Sequence, residues 1–184
     1  HVEDLILVIP EMDHLYFENE IVPEIESKKK ISVTSGGPER QDSVYNGLKK
    51  VTNQKNLVLI HDGVRPFVPQ SVINKVIDDA GKSGAAIVAI RATDTVKLTN
   101  SGLTIDKTVP RDKIWMAQTP QVFNYQLIRK AYEYAMGKGL VGTDDASFLE
   151  FIDEKAVLTE GSRLNIKITT PEDLILAESI LRIL

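Results

Sequence analysis

A carboxylate, a glycine and an arginine stand together at the end of an apolar run, in Leu57-Val-Leu-Ile-His-Asp-Gly-Val-Arg-Pro66. Four successive apolar residues, Leu57 to Ile60, read as a strand buried on both faces, as a central parallel strand is. Asp62 then falls at the C-terminal end of that strand, the edge of an open α/β sheet at which ligands bind. A carboxylate there, with flexible Gly63 beside it and the cation Arg65 nearby, suits a metal and a phosphate. A polar turn leaving a strand is the plainer alternative.

Five other segments also fall in connections after expected strands, where function concentrates. They are Gly36-Gly-Pro-Glu-Arg-Gln-Asp-Ser43, Asp94-Thr-Val-Lys97, Trp115-Met-Ala-Gln-Thr-Pro-Gln-Val-Phe123, Thr143-Asp-Asp-Ala-Ser147 and Asn165-Ile-Lys-Ile-Thr169. Gly36-Gly37 before a helix leaves N–H groups to face a ligand, unless the pair is only a turn. Lys167, between Ile166 and Ile168, points opposite to both if the segment is extended, so it is either a site ammonium or a solvated lysine. Thr143-Asp144-Asp145 reads most simply as a helix cap with acids in the first turn. Gln118 and Thr119 before Pro120 read as a rigid polar turn. His61 reads as an internally satisfied strand residue and His14 as a surface helix residue, so no histidine base is expected.

These segments need elements to hold them. Leu5–Ile9, Ile31–Thr34, Leu57–Ile60, Ala85–Ile90 and Ala156–Thr159 read as strands. Glu11–Lys28, Arg40–Val51, Ser71–Lys82, Tyr125–Met136, Asp144–Ile152 and Leu174–Leu184 read as helices, the last opened by Thr170-Pro-Glu-Asp173. The alternation predicts an α/β fold with a doubly wound, mostly parallel sheet. Residues 93–110 interrupt it with a β-hairpin, Val96-Lys-Leu and Leu103-Thr-Ile105 about a turn at Asn100-Ser-Gly102. A lone two-stranded ribbon is marginal and must lean on something, for which a second copy of the chain is suited.

A chain of 184 residues, 42% hydrophobic, supports one domain with a sizeable core and is too short for two of ordinary size. A net charge of −4 argues against a nucleic-acid surface. Without cysteine there is no disulfide, thiolate nucleophile or thiolate-bound metal. No apolar run approaches a membrane span.

Taken together, the six segments resemble the 2-C-methyl-D-erythritol 4-phosphate cytidylyltransferases of the non-mevalonate isoprenoid pathway, in order and from His1 to the C-terminus. The resemblance implies a Rossmann-like nucleotidyltransferase fold with a β-arm at 93–110 that forms a homodimer. It implies transfer of CMP from CTP to methylerythritol phosphate, a sugar-alcohol phosphate, with release of pyrophosphate and with magnesium as the metal. By the same resemblance Asp62 binds the metal, Gly37 and Ser43 frame the cytosine, Gly63 contacts the nucleotide and Lys167 meets its phosphates. Arg65, Thr119 and Thr143 line the sugar-phosphate pocket, while Thr95 and Arg111 reach across the dimer to the incoming phosphate. Pro38 has no N–H where such a loop often offers one. The catalytic set is thus expected to be Asp62, Lys167, Arg111 and Thr95.

Members of that family begin with a strand and a glycine-rich loop absent from this sequence, a βα unit of roughly 40 residues. The chain as written, opening at His1 without a methionine, is therefore expected to be a single nucleotidyltransferase domain, 1–184, lacking that unit and nearly inactive by itself. A bacterial cytoplasm is the expected compartment, and a plastid origin would read the same. Two rivals stand beside this reading: a ribitol 5-phosphate cytidylyltransferase, and a non-catalytic nucleotide-binding or dimerisation module.

Overall fold

Strands and helices alternate along the chain in the computed structural model, which describes residues 2–27, 29–54 and 56–184. Two units divide it: one is the chain as far as Val58 with Phe123–Lys155, the other is Leu59–Val122 with Ala156–Leu184.

In the first unit, β1 (Asp4–Ile9) pairs in parallel with β2 (Lys30–Ser35), Asp4 opposite Lys30 and Ile9 opposite Ser35. The helix expected between them is instead a broken string of turns: 3₁₀ at Glu11–Asp13, the short α1 (His14–Tyr16), a π turn at Phe17–Ile21 and 3₁₀ again at Val22–Glu24. None of these turns buries a residue, and Pro23 interrupts the last one, so no packed face holds a regular helix together. Lys28, the expected end of that helix, lies outside the described residues. His14 is half-buried, its ring 3.3 Å from the Ser35 hydroxyl.

Helix α2 (Arg40–Leu48) packs on β1 and begins with a capping box between Glu39 and Asp42. The core of this unit is aromatic. Tyr132 is stacked on Phe148 with ring centroids 4.1 Å apart, and Tyr45 on Tyr132 at 6.2 Å.

The second unit holds β3 (Leu57–Ile60), α3 (Gln70–Ser83), β4 (Ala85–Arg91), the hairpin β5 (Val96–Thr99) and β6 (Ile105–Val109), and β7 (Trp115–Asn124). From β7 the chain runs through α4 (Tyr125–Lys138) and α5 (Ser147–Glu150) of the first unit, then returns as β8 (Val157–Glu160) and α6 (Pro171–Leu181). The unit boundaries fall inside β3 and β7. Four strands form one sheet in the order β3-β7-β4-β8, with β4 parallel to β8. Residues 85–89 of β4 are buried without a break, as its apolar run predicts, and α3 covers β4 and β8. Strand β3 is only half-buried along its length, a correction to the doubly buried reading.

The hairpin pairs antiparallel, Val96 opposite Val109, and its second strand starts later than expected. Leu103 sits in the turn, 99% exposed. The larger correction is Trp115–Phe123, expected as a connection: it lies within β7, a ten-residue strand with six successive buried residues, Gln118 to Phe123.

Helix α6 opens on a capping box between Thr170 and Asp173. It buries Ala177 and Ile180 against Phe67, with Leu164, Ile166 and Ile168 packed beside them. No helix among the described residues is long and apolar enough to cross a membrane.

Candidate functional site

Asp62 leaves β3 into a turn closed by the Arg65 N–H on the Asp62 carbonyl, 3.0 Å. Its carboxylate Oδ2 lies 3.4 Å from the Lys167 ammonium and 3.6 Å from Arg65 Nε. The segment bearing Lys167 belongs to no strand, yet the alternation foreseen from its sequence holds: Ile166 and Ile168 pack against the apolar cluster while Lys167 turns to Asp62. Asp62 is 14% exposed and Lys167 43%, so the carboxylate is enclosed and the ammonium reaches it from the solvent side.

A chain of hydrogen bonds fixes the start of this turn. The Asp62 N–H donates to Thr119 Oγ1 at 3.0 Å, and that hydroxyl lies 3.0 Å from His61 Nδ1. His61 Nε2 lies 3.0 Å from the Arg65 carbonyl. A carbonyl only accepts, so Nε2 carries the proton and Nδ1 accepts from Thr119. Although the residue remains partly open to solvent, both ring nitrogens face protein groups. Their desolvation holds the imidazole below its ordinary pKa of 6.5, against the opposing pull of the Arg65 carbonyl and Asp62. A neutral ring with both nitrogens engaged braces the turn.

Behind the turn lies a residue the sequence reading did not single out. Asn165 is fully buried, and its Nδ2 donates to Gln118 Oε1 at 3.2 Å and to the Thr119 carbonyl at 2.8 Å. The Asn165 carbonyl accepts from Arg65 Nη1 at 2.8 Å and from Gln118 Nε2 at 3.3 Å. These bonds explain the buried polar residues of β7. Gln118 and Thr119 are strand residues, the first bonded to Ser162 and Asn165 and the second to Asp62, His61 and Asn165, where the sequence suggested a rigid polar turn. Arg65, only 13% exposed, is held inward by Asn165 and Asp62.

Gly37 and Ser43 belong to the first unit. Neither amide of the Gly36-Gly37 pair is left for a ligand, a second correction: the Gly36 N–H donates to the Ile9 carbonyl at 2.9 Å and the Gly37 N–H to Ser43 Oγ at 3.0 Å. Gly37 is required sterically, since a Cβ there would come within 2.4 Å of Asp42 Cβ. The turn is tied to the Thr143 loop by Arg40, whose guanidinium grips the fully buried Asp145 carboxylate through two hydrogen bonds of 3.1 and 2.8 Å. The Tyr132 hydroxyl donates to the same carboxylate at 2.6 Å. Burial first, and then the charge of Asp145, push the Tyr132 phenol far above its ordinary value and keep it a donor. The helix expected from Asp144 begins instead at Ser147 with Ala146 at its cap, a further correction: the Asp144 carboxylate accepts from the Ser147 N–H at 2.9 Å in the turn before it, whereas Asp145 turns inward. Thr143 itself is exposed.

The structure thus brings Asp62, Arg65, Thr119 and Lys167 together in the second unit, and ties the Gly37–Ser43 turn to the Thr143 loop in the first. Gly63 is exposed, and a Cβ there would meet nothing within 4 Å. Thr95 is exposed just before β5, and Arg111, after β6, donates to the Thr93 carbonyl at 2.5 Å. No group of three or more acidic, histidine or cysteine side chains that could hold a metal occurs among the described residues. Asp62 alone suits magnesium, an ion that takes one or two carboxylates and completes its shell with phosphate oxygens and water. Enclosed anionic Asp62 beside two fixed cations is an arrangement for holding a phosphate-borne charge in place.

The family model described as IspD, 2-C-methyl-D-erythritol 4-phosphate cytidylyltransferase, matches residues 1–183. A relative of that name from Syntrophus aciditrophicus is 46% identical over 181 residues, which cover 98% of this chain and 77% of the relative. One from Shouchella clausii is 46% identical over 176 residues, covering 96% and 76%. Among solved structures, a 4-diphosphocytidyl-2C-methyl-D-erythritol synthase from Anaerococcus prevotii is similar with a TM-score of 0.90 and 37% identity, over 98% of this chain and 79% of that one. A 2-C-methyl-D-erythritol 4-phosphate cytidylyltransferase from Thermus thermophilus gives 0.80 and 34%, over 97% and 82%.

Proposed function

The chain belongs to the 2-C-methyl-D-erythritol 4-phosphate cytidylyltransferase family, and from that premise we propose that it transfers CMP from CTP to methylerythritol phosphate and releases pyrophosphate. The observation that carries the reading is the Lys167–Asp62 contact of 3.4 Å beside Arg65 and Thr119, a charged constellation with no general base in it. A phosphate monoester is already anionic at neutral pH. Its oxygen attacks the α-phosphorus of CTP, the new P–O bond forms as the bond to the β-phosphate breaks, and no proton need be removed.

What the protein must supply is the approach of two anions and a place for charge on the phosphoryl oxygens. Lys167 neutralises nucleotide phosphate, and Asp62 would hold magnesium with the phosphates. A bound magnesium ion supplies charge neutralisation at the phosphoryl oxygens. Thr119, fixed by His61 and the Asp62 amide, lines the acceptor pocket with Arg65 and Thr143. Gly37 and Ser43 frame cytosine, and Gly63 lets the nucleotide approach the backbone. The arm pairs two copies of the chain and carries Thr95 and Arg111 to the partner's acceptor phosphate.

The test is pyrophosphate release by the full-length gene product from CTP and magnesium, with methylerythritol phosphate and ribitol 5-phosphate compared. Turnover with the first acceptor alone supports the reading. Turnover with ribitol 5-phosphate alone, or nucleotide binding without pyrophosphate, rejects it.

A further inference from the structure

Lys167 stands between two backbone anchors on the Asp62 turn. On one side the Asn165 carbonyl accepts from Arg65 Nη1 at 2.8 Å, and on the other the Ile168 N–H donates to the Val64 carbonyl at 2.9 Å. What fixes this stretch to β7 is a clasp of two buried carboxamides. Asn165 Nδ2 donates to Gln118 Oε1 and to the Thr119 carbonyl, while Gln118 Nε2 donates to the Ser162 carbonyl at 3.0 Å and to that of Asn165. The turn so held is built on Ser162, whose carbonyl accepts from the Asn165 N–H at 3.1 Å and whose hydroxyl accepts from the Leu164 N–H at 3.1 Å. Room for the clasp depends on Gly161, where a Cβ would come within 2.6 Å of Gln118 Oε1 and of Val88 Cγ1.

The clasp is not the most stable way to fill this space. Asn165 Oδ1 is buried and accepts no hydrogen bond among the described residues, and buried Arg65 Nε, though 3.6 Å from Asp62 Oδ2, donates none. A buried acceptor left unmatched costs stability that an apolar side chain of the same shape would keep. Departures of this kind gather at functional sites. We propose that Asn165 is a positioning residue for the phosphoryl transfer: its carboxamide, clasped with Gln118, sets where Lys167 and Arg65 stand relative to Asp62. The inference rests on the cytidylyltransferase reading and adds to it a residue that acts only through those two cations. Both cations remain when the clasp is lost, so their attraction for phosphate in the ground state largely survives. Their alignment does not, and alignment is felt where charge gathers on particular oxygens in the transition state.

In the full-length gene product, Asn165→Leu keeps the bulk and removes the donor. It is expected to lower kcat about 10- to 100-fold while the KM values for CTP and methylerythritol phosphate change less than about threefold. Combined with Lys167→Ala, it should fall well short of the product of the two separate losses, because the clasp works through that lysine. Thr159→Val is the structural control: it removes a fully buried hydroxyl that donates to Asp79 Oδ2 at 2.7 Å and takes no part in the clasp. It should lower the melting temperature and leave kcat unchanged. Should Asn165→Leu not fold, Gln118→Met opens the same clasp from β7 and takes the same test. A kcat close to wild type in the folded variant, losses that multiply in the double variant, or an equal fall of kcat in Thr159→Val overturns the proposal and leaves the enzyme reading standing. No turnover by the wild type with either acceptor rejects the enzyme reading, and the positioning role with it.

Discussion

Asp62 and Thr119 show how much one side chain decides. The carboxylate faces two cations, so Asp62→Asn removes the proposed metal ligand while keeping the shape of the turn. Turnover by the full-length protein should fall on the order of 100-fold or more, with the circular dichroism melt little changed. His61 is shifted in the opposite direction from a salt-bridged histidine. Its pKa lies below 6.5 in the fold, so the unfolded chain binds the extra proton first, and the stability it contributes is full above about pH 6.5 and fades as pH falls below it. Thermal melts between pH 7.5 and 5 should show this slope, and His61→Gln should flatten it. The chain of bonds onto Thr119 was invisible beforehand, because nothing in a linear sequence says that a threonine of β7 meets a histidine of β3's end.

Elements differ in how plainly the sequence wrote them. Strand β4 is an unbroken apolar run, α3 carries an apolar stripe that buries Val76 and Ala80, and α6 announces itself with Thr170, Pro171 and Asp173. The first two were legible because burial decides them, and the third because its cap is written in adjacent residues. Strand β7 was not: Gln118, Thr119, Pro120 and Gln121 break the alternation, and they are buried only because Asn165 and Ser162 satisfy the two nearest glutamine and threonine groups. The 11–24 segment failed in reverse, with helical spacing and no surface to pack on. Asp145 was read as one of two acids in a helix's first turn, whereas its partner Arg40 is remote in sequence and only the fold joins them. Removing that partner leaves a buried carboxylate with the Tyr132 hydroxyl as its remaining described donor. Arg40→Ala should therefore cost about 2–4 kcal/mol, the lower part reflecting that Arg40 itself is partly solvated. Denaturant unfolding checks this, with Arg40→Lys recovering only part since an ammonium lacks the two-pronged grip.

At the scale of the whole molecule, the family and the α/β class were legible because six short segments recur in order, even where single residues had plainer readings. The arm was legible as a hairpin, and its exposed Leu98, Leu103 and Ile105 fit a ribbon that meets a second copy. With the arm as the proposed subunit contact, replacing residues 98–107 by a short Gly-Asn turn should make the full-length protein sediment as a monomer and remove activity. A dimer that survives the replacement would place the subunit contact elsewhere.

Arg40 and Asp145 are separated by 105 positions in the chain, and closing such a span costs entropy that local contacts do not repay. During synthesis the glycine turn and α2 leave the ribosome long before Asp145 does. Until then the turn has its own capping box and its bond to Ser43, but not the carboxylate that anchors it. The Gly37 turn is thus completed late in translation, and a chain released early would carry the turn's sequence without its support.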